Sequence, residues 1–202
     1  GIGATYDDLM NAAKMGVTSE VASILERGAS VDSTDKEGNT LLMLAARDGN
    51  DDTVAYLIRK KAKLDARNAV GDTALALAAF RGHKKTAELL IAAGAPVNTP
   101  DWAPLIYAAF NGNTEIAAAL VKAGANVNAA SDNGSTPLIV AAKGGHIDVV
   151  KLLLANRADP NKSLQNGDTA LDVALRAQNT DIGELLRKAG GKSGKSVTIQ
   201  MK

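Results

Sequence analysis

The sequence predicts an all-α fold, a solenoid of about six helix–turn–helix units with β-turn fingers between them. Three observations predict it. A leucine recurs as Leu9, Leu42, Leu75, Leu105, Leu138 and Leu171, at intervals of 33, 33, 30, 33 and 33 residues. An alanine pair comes three and four residues behind the first five of these leucines, with Ala174-Leu175 in the last copy, and after two more residues a glycine follows at Gly16, Gly49, Gly82, Gly112 and Gly145. A second apolar stripe then runs to a closing Gly-Ala-x-Val-Asn or a near variant, as in Gly124-Ala125-Asn126-Val127-Asn128.

Each copy is justified by the chemistry of its parts. A capping unit occupies 5–34, with Leu9 and Ala12-Ala13 as its apolar face and Gly28-Ala29-Ser30-Val31-Asp32 as its close. The unit at 35–67 opens on Thr40-Leu41-Leu42 and the unit at 68–98 on Thr73-Ala74-Leu75. In both, Thr supplies the side-chain oxygen that caps a short helix. The unit at 99–130 opens on Ala103-Pro104-Leu105, and the unit at 131–163 on Thr136-Pro137-Leu138, with proline suited to a first helical turn. The last unit, 164–190, opens on Thr169-Ala170-Leu171, and a tail occupies 191–202. In the first five copies the alanine pair lets neighbouring helices approach closely, and the glycine ends the first helix at a left-handed position. The second helix of the fifth unit carries Ile147, Val150, Leu153 and Leu154 on one face. One unit cannot bury its own apolar side, so neighbours must stack on it.

The unit Asn133-Gly134-Ser135-Thr136-Pro137-Leu138, continued by Ala141-Ala142-Lys143-Gly144-Gly145-His146, resembles the consensus of the ankyrin repeat family. The resemblance spans residues 5 to about 190, and it implies a curved solenoid. First helices would line a concave face, second helices would form the convex back, and turns would project as fingers. It also implies a non-catalytic module that binds another protein through finger tips and concave face. The chain is similar to bacterial members of the family, many of them exported. It opens Gly1-Ile2-Gly3 with no initiating Met and no signal-peptide pattern, so a processed or trimmed product is expected, periplasmic or otherwise exported in preference to cytoplasmic.

Composition narrows the function further. Among 202 residues, 23 are Lys or Arg and 22 are Asp or Glu, a net charge of +1 that offers no general field for nucleic acid or an anionic membrane. No stretch is long and apolar enough to span a membrane. There is no cysteine, which removes disulfides, thiolate nucleophiles and zinc–thiolate sites. His83 and His146 hold the same slot in units two apart, too far from each other to share a metal; each is expected to bond to the backbone of an adjacent turn. No cofactor or metal is expected, no catalytic triad is assembled, and a monomer is expected.

The candidate site rests on departures from the repeat. The interval between Leu75 and Leu105 is three residues short, and the Gly-x-Thr turn is replaced by Val97-Asn98-Thr99-Pro100-Asp101-Trp102-Ala103-Pro104. Two prolines there block a regular hairpin, predicting a shortened finger with Trp102 near solvent; the alternative is a neutral deletion with Trp102 packed against a neighbouring finger. The slot right after the alanine pair, turned away from the core, holds Lys14, Arg47, Phe80, Phe110, Lys143 and Arg176. Both phenylalanines of the chain lie in that slot in adjacent units, with the one tryptophan between them. Trp102, Phe80 and Phe110 are therefore the expected partner anchors. Arg47, Arg81 and Lys143 are the expected polar rim, with Val70 and Asn111 beside them. Phe80 stacked on Phe110 merely to stiffen the surface is the structural alternative. Tyr107, in a slot otherwise held by Leu44, Leu77, Val140 and Val173, is expected in the core.

Two other functions compete. Ala189-Gly190-Gly191-Lys192-Ser193-Gly194-Lys195-Ser196 looks like a degenerate phosphate-binding loop, which would make the protein a nucleotide binder or enzyme. The flanking order, helix before and extended segment after, is the reverse of what that chemistry needs. The alternating Val197, Ile199 and Met201 suit a tail docked on the last repeat. The other reading is a structural or protective accessory of an exported enzyme.

Overall fold

The computed structural model describes residues 5–194. Among them, twelve helices run as six antiparallel pairs, and the chain divides after Pro96 into two compact units. The first unit holds α1 (Tyr6–Met15) with α2 (Thr18–Glu26), α3 (Leu41–Arg47) with α4 (Asp51–Arg59), and α5 (Ala74–Arg81) with α6 (Lys84–Ala92). The second holds α7 (Pro104–Phe110) with α8 (Thr114–Lys122), α9 (Pro137–Gly144) with α10 (Ile147–Ala155), and α11 (Ala170–Arg176) with α12 (Thr180–Lys188). No strand occurs among the described residues; isolated bridges Thr34–Thr40 and Ser163–Thr169 close two of the fingers. The fold is the all-α repeat solenoid expected from the sequence.

Within each unit the first helices stack on one another, α1 on α3 on α5 and α7 on α9 on α11. Ala45, Ala46, Ala78, Ala79, Ala108, Ala109, Ala141 and Ala142 are fully buried where those helices meet. Leu42, Leu75, Leu105 and Leu138 lie beneath them, each essentially without solvent contact. The caps are as the residue types require. The hydroxyls of Thr40, Thr73 and Thr136 accept the backbone N–H of Met43, Ala76 and Ile139 at 3.1–3.2 Å. α7 begins on Ala103 and has no side-chain cap, with Pro104 at its first position instead.

Two sets of polar ties fix how one pair sits on the next. In the first, the acid or amide of the closing signature receives a backbone N–H about one period later. Asp32 Oδ1 accepts from Lys63 (2.9 Å), Asn98 from Asn126 (2.7 Å), Asn128 from Asp159 (2.7 Å) and Asn161 from Lys192 (2.8 Å). Pro96 occupies the donor position for Asp65 and has no N–H to give. In the second set, the residue after the left-handed position, glycine in all but the last copy, reaches back to the end of the preceding first helix. Asn50 donates to the Lys14 carbonyl (3.0 Å), His83 Nε2 bonds the Arg47 carbonyl (2.9 Å), His146 Nε2 bonds the Phe110 carbonyl (3.0 Å), and Asn179 donates to the Ala142 carbonyl (3.2 Å). Both histidines thus bond to backbone of the neighbouring repeat, as expected.

The glycines beneath the two histidine ties have two reasons to be glycine. Gly49 and Gly112 hold φ of +70° and +71°. A β-carbon on Gly49 would also lie 2.7 Å from Nδ1 of His83, and one on Gly112 would collide with Nδ1 of His146.

The ends of the repeat series are polar where the interior is apolar. Asp8, Asn11 and Glu20 are exposed at the positions where the second pair places buried Leu41, Leu44 and Thr53. At the other end Asp172 stands in register with buried Ile139 and is half-buried. Its carboxylate accepts the N–H of Thr169 (2.9 Å) and of Gly194 (2.9 Å), while the Thr169 hydroxyl donates to the Lys192 carbonyl (2.7 Å). Burial alone would raise the Asp172 pKa; bonds from the Gly194 and Thr169 N–H groups and from the Ser193 and Thr169 hydroxyls outweigh it and hold the group below 3.8. The residues up to Gly194 therefore dock on the last repeat, and Val197, Ile199 and Met201 lie outside the described residues.

Two outcomes follow from these ties. His146→Asn should keep the bond to the Phe110 carbonyl, because Asn50 and Asn179 already perform the same task, whereas His146→Ala should cost about 1 kcal/mol in chemical denaturation. Asp172 is ionised more readily folded than unfolded. Its contribution is complete above its ordinary value of 3.8 and vanishes as pH falls through the lower folded value. Asp172→Asn should accordingly lower stability by about 1–2 kcal/mol at pH 7 and flatten the acid limb of a pH–stability profile below pH 4, read by urea melts at each pH.

Candidate functional site

The missing three residues remove the hairpin turn. In the full fingers the turn is closed by paired backbone bonds, Asp35 with Asn39 and Gly38, Asn68 with Asp72 and Gly71, Ser131 with Ser135 and Gly134. In the short one Ala103 donates to the Asp101 carbonyl at 3.0 Å, and Asp101 takes a left-handed φ of +62°. That conformation costs a residue with a β-carbon roughly 1–2 kcal/mol. It is held here by the Asp101 carboxylate, which accepts the backbone N–H of Asp132 at 3.1 Å.

The kink swings Trp102 over α7. Its ring lies 5.2 Å from Tyr107 and 5.9 Å from Phe110, the latter edge-to-face at 75°. Trp102 is half-buried, not the solvent-facing ring the prolines suggested, because α7 offers two aromatic partners within reach. Tyr107 is half-buried too, not in the core, as is Leu77 in the same slot of the preceding repeat. Phe110 remains 49 % exposed at the end of α7.

Trp102 and Phe110 form one wall of a groove of about 450 Å³. The opposite wall is α9, presenting Ile139, Val140 and Lys143, with Asn133 and Ser135 at the finger end and Leu164 closing it. The finger is internally braced: Asn133 Oδ1 accepts from the hydroxyls of Ser131 (2.6 Å) and Ser135 (2.7 Å) and from the Ser135 N–H (3.1 Å), while its carbonyl accepts the N–H of Gln165 (2.9 Å). Lys143 is exposed at the last turn of α9.

The structure thus brings together three of the residues singled out in the sequence, Trp102, Phe110 and Lys143. Asn111 closes α7 and is exposed. Phe80, Arg81, Arg47 and Val70 belong to the first unit. Phe80 is 38 % exposed at the end of α5, with the Arg81 guanidinium 6.0 Å from its ring centroid. Arg47 is half-buried, with Nε 3.5 Å from Asp48, so it is a less open rim residue than its slot implied. Val70 is 76 % exposed at a finger.

Ile139, Val140 and Leu164 were not singled out as site residues. The first two read as core, and they are buried up to the groove floor. Leu164 carried a signal: it stands where the other full fingers place Asp35, Asn68 and Ser131, an apolar residue at a turn position that otherwise supplies a polar side chain.

The phosphate-loop likeness gains no support from the geometry. Residues 190–194 are the last copy of the closing signature, and four of their N–H groups are committed. Gly190 donates to Arg187 (3.0 Å), Gly191 to Leu186 (2.7 Å), Lys192 to Asn161 (2.8 Å) and Gly194 to Asp172 (2.9 Å). Four of the amides that such a loop would turn on a phosphate are thus already bonded, to a helix end, a side-chain amide and a carboxylate. Lys195 and Ser196 lie outside the described residues. Among those described, no group of three or more His, Asp or Glu is placed to hold a metal ion.

No curated protein matches the chain. Two stretches, 9–101 and 105–199, match the family model described as ankyrin repeats (3 copies), and the break between them falls on Trp102, Ala103 and Pro104 of the short finger. With the helix pairs, caps and left-handed glycines repeating in register through both stretches, the chain belongs to the ankyrin repeat family.

Proposed function

We propose that this protein is a binding module that holds a partner protein in the Trp102–Phe110–Lys143 groove of its second unit. Phe80 and Arg81 provide a further aromatic contact in the first unit, and Arg47, Val70 and Asn111 lie on the surrounding surface. Members of the ankyrin repeat family generally act as protein–protein interaction modules and are typically non-catalytic, and the coarse reading rests on that membership. The finer reading rests on a single observation: the chain's one tryptophan and one of its two phenylalanines line the same groove, half-open to solvent. Large aromatics left accessible beside a cation are the residue types that dominate interface energies.

The mechanism is pre-organisation. Groove walls are set by a capped helix, a braced finger and a kinked turn, so little conformational freedom is lost when a partner enters. Nothing in such a surface requires a reaction; the gain comes from covering apolar area that the free protein leaves wet.

Phe110→Ala combined with Phe80→Ala should abolish capture of a protein partner from the native source, while shifting the thermal midpoint by only a few degrees, since neither ring is in the core. A collapsed melt would show both rings to be structural instead. Unchanged capture with an intact fold would remove the aromatic anchors from the interface.

A further inference from the structure

Taking the groove as a binding site, its electrostatics point to one kind of occupant. Its polar atoms are largely committed: the Asn133 amide oxygen takes three bonds from Ser131 and Ser135, and the Ser135 hydroxyl is spent on it. Ile139, Val140, Leu164, Trp102 and Phe110 supply no charge. Lys143 is the one ionised side chain that lines the groove, and it has no carboxylate partner among the described residues. Of the acids on neighbouring segments, Asp101 accepts from the backbone of Asp132 and Asp168 pairs with Arg176 at 2.9 Å, while Asp132 is exposed beside Asn133 on the finger and does not line the groove.

An unpaired ammonium at the mouth of an apolar cleft discriminates by charge. A partner carboxylate gains an attraction strengthened by the poorly hydrated wall beside it, and a partner cation is repelled. The spacing sets the distance. Lys143 is one helical turn beyond Ile139 on α9, so their side chains start about 5–6 Å apart. An extended peptide covers that span in about two residues. A single cation is too little for a nucleic-acid backbone, whose binding grows with the number of phosphates neutralised.

We propose that the groove accepts a partner-protein segment in which a large apolar side chain fills the cleft, while an Asp or Glu one or two residues away meets Lys143. The proposal rests on the groove being the binding site, and its test separates the two. Phage-displayed random peptides are selected on the intact protein and, in parallel, on Phe110→Ala and Lys143→Glu. An enriched peptide is then synthesised and titrated by the fluorescence of Trp102, the sole tryptophan.

The expected result is enrichment of Asp or Glu next to a bulky apolar residue, loss of that enrichment on Phe110→Ala, and a switch to Lys or Arg on Lys143→Glu. In titrations Lys143→Glu should weaken the acidic peptide roughly tenfold, and added salt should weaken it on the unaltered protein. Peptides that require Phe110 but carry no acidic preference would overturn the Lys143 assignment and leave the groove as the site. Peptides indifferent to Phe110, with Trp102 emission unmoved, would remove the groove itself.

Discussion

A pair of seven- to ten-residue helices has one apolar side too many. Neither helix can cover the leucines and alanines of its own pair, and at that length neither would persist alone in water. Stability therefore exists only in the contact from one pair to the next, and that contact is narrow because alanine pairs bring the first helices close. The repeat spacing, the left-handed glycines and the side-chain-to-backbone ties all follow from the need to keep this contact in register. An uncompensated carbonyl at the end of each first helix would be costly so close to the core. Asn50, His83, His146 and Asn179 supply the missing donors.

The groove follows from one local failure of that register. A finger of full length is a closed turn whose backbone satisfies itself. Removing three residues leaves too little chain to form the turn, so the segment crosses on prolines and a strained aspartate. What the segment loses in hydrogen bonds it recovers as aromatic packing, with Trp102 on Tyr107 and Phe110. The same change opens space against the next finger, which is full-length and rigid. The strained Asp101 and the aromatic cluster thus sit at one edge of the same cleft.

Most of the fold was legible in the sequence because the signals are local and repeated. Thr before a helix, glycine after it and an amide in the close each report a backbone conformation fixed within a few residues, and six copies average out exceptions. The groove was legible only in part. Phe110 and Lys143 are visible as departures in one slot, since helical period alone says that slot leaves the core. The position of Trp102 depends on an irregular segment with no period to read, so the sequence leaves it open between solvent and packing. Leu164 was missed because its meaning lies in comparison with Asp35, Asn68 and Ser131, not in its own character.

The last repeat shows which residues serve stacking and which serve the chain itself. In the four earlier copies among Gly49, Gly82, Gly112 and Gly145, and in Gly16, the left-handed position after the first helix is glycine, but the last copy has Gln178 at φ +62°. A left-handed backbone alone therefore does not demand glycine here. At Gly16 and Gly112 a β-carbon would in addition meet the side chain of the next repeat, Asn50 and His146 respectively. With no such neighbour on it among the described residues, Gln178 needs only to tolerate its φ. Asp172 obeys the same logic on the opposite side of the pair. Where an apolar residue would meet another repeat, a carboxylate instead meets the N–H of Gly194, whose own lack of a side chain lets it lie against the Gly167 carbonyl. Closing the series thus substitutes one hydrogen-bonded carboxylate and a short docked strap for an entire helix pair.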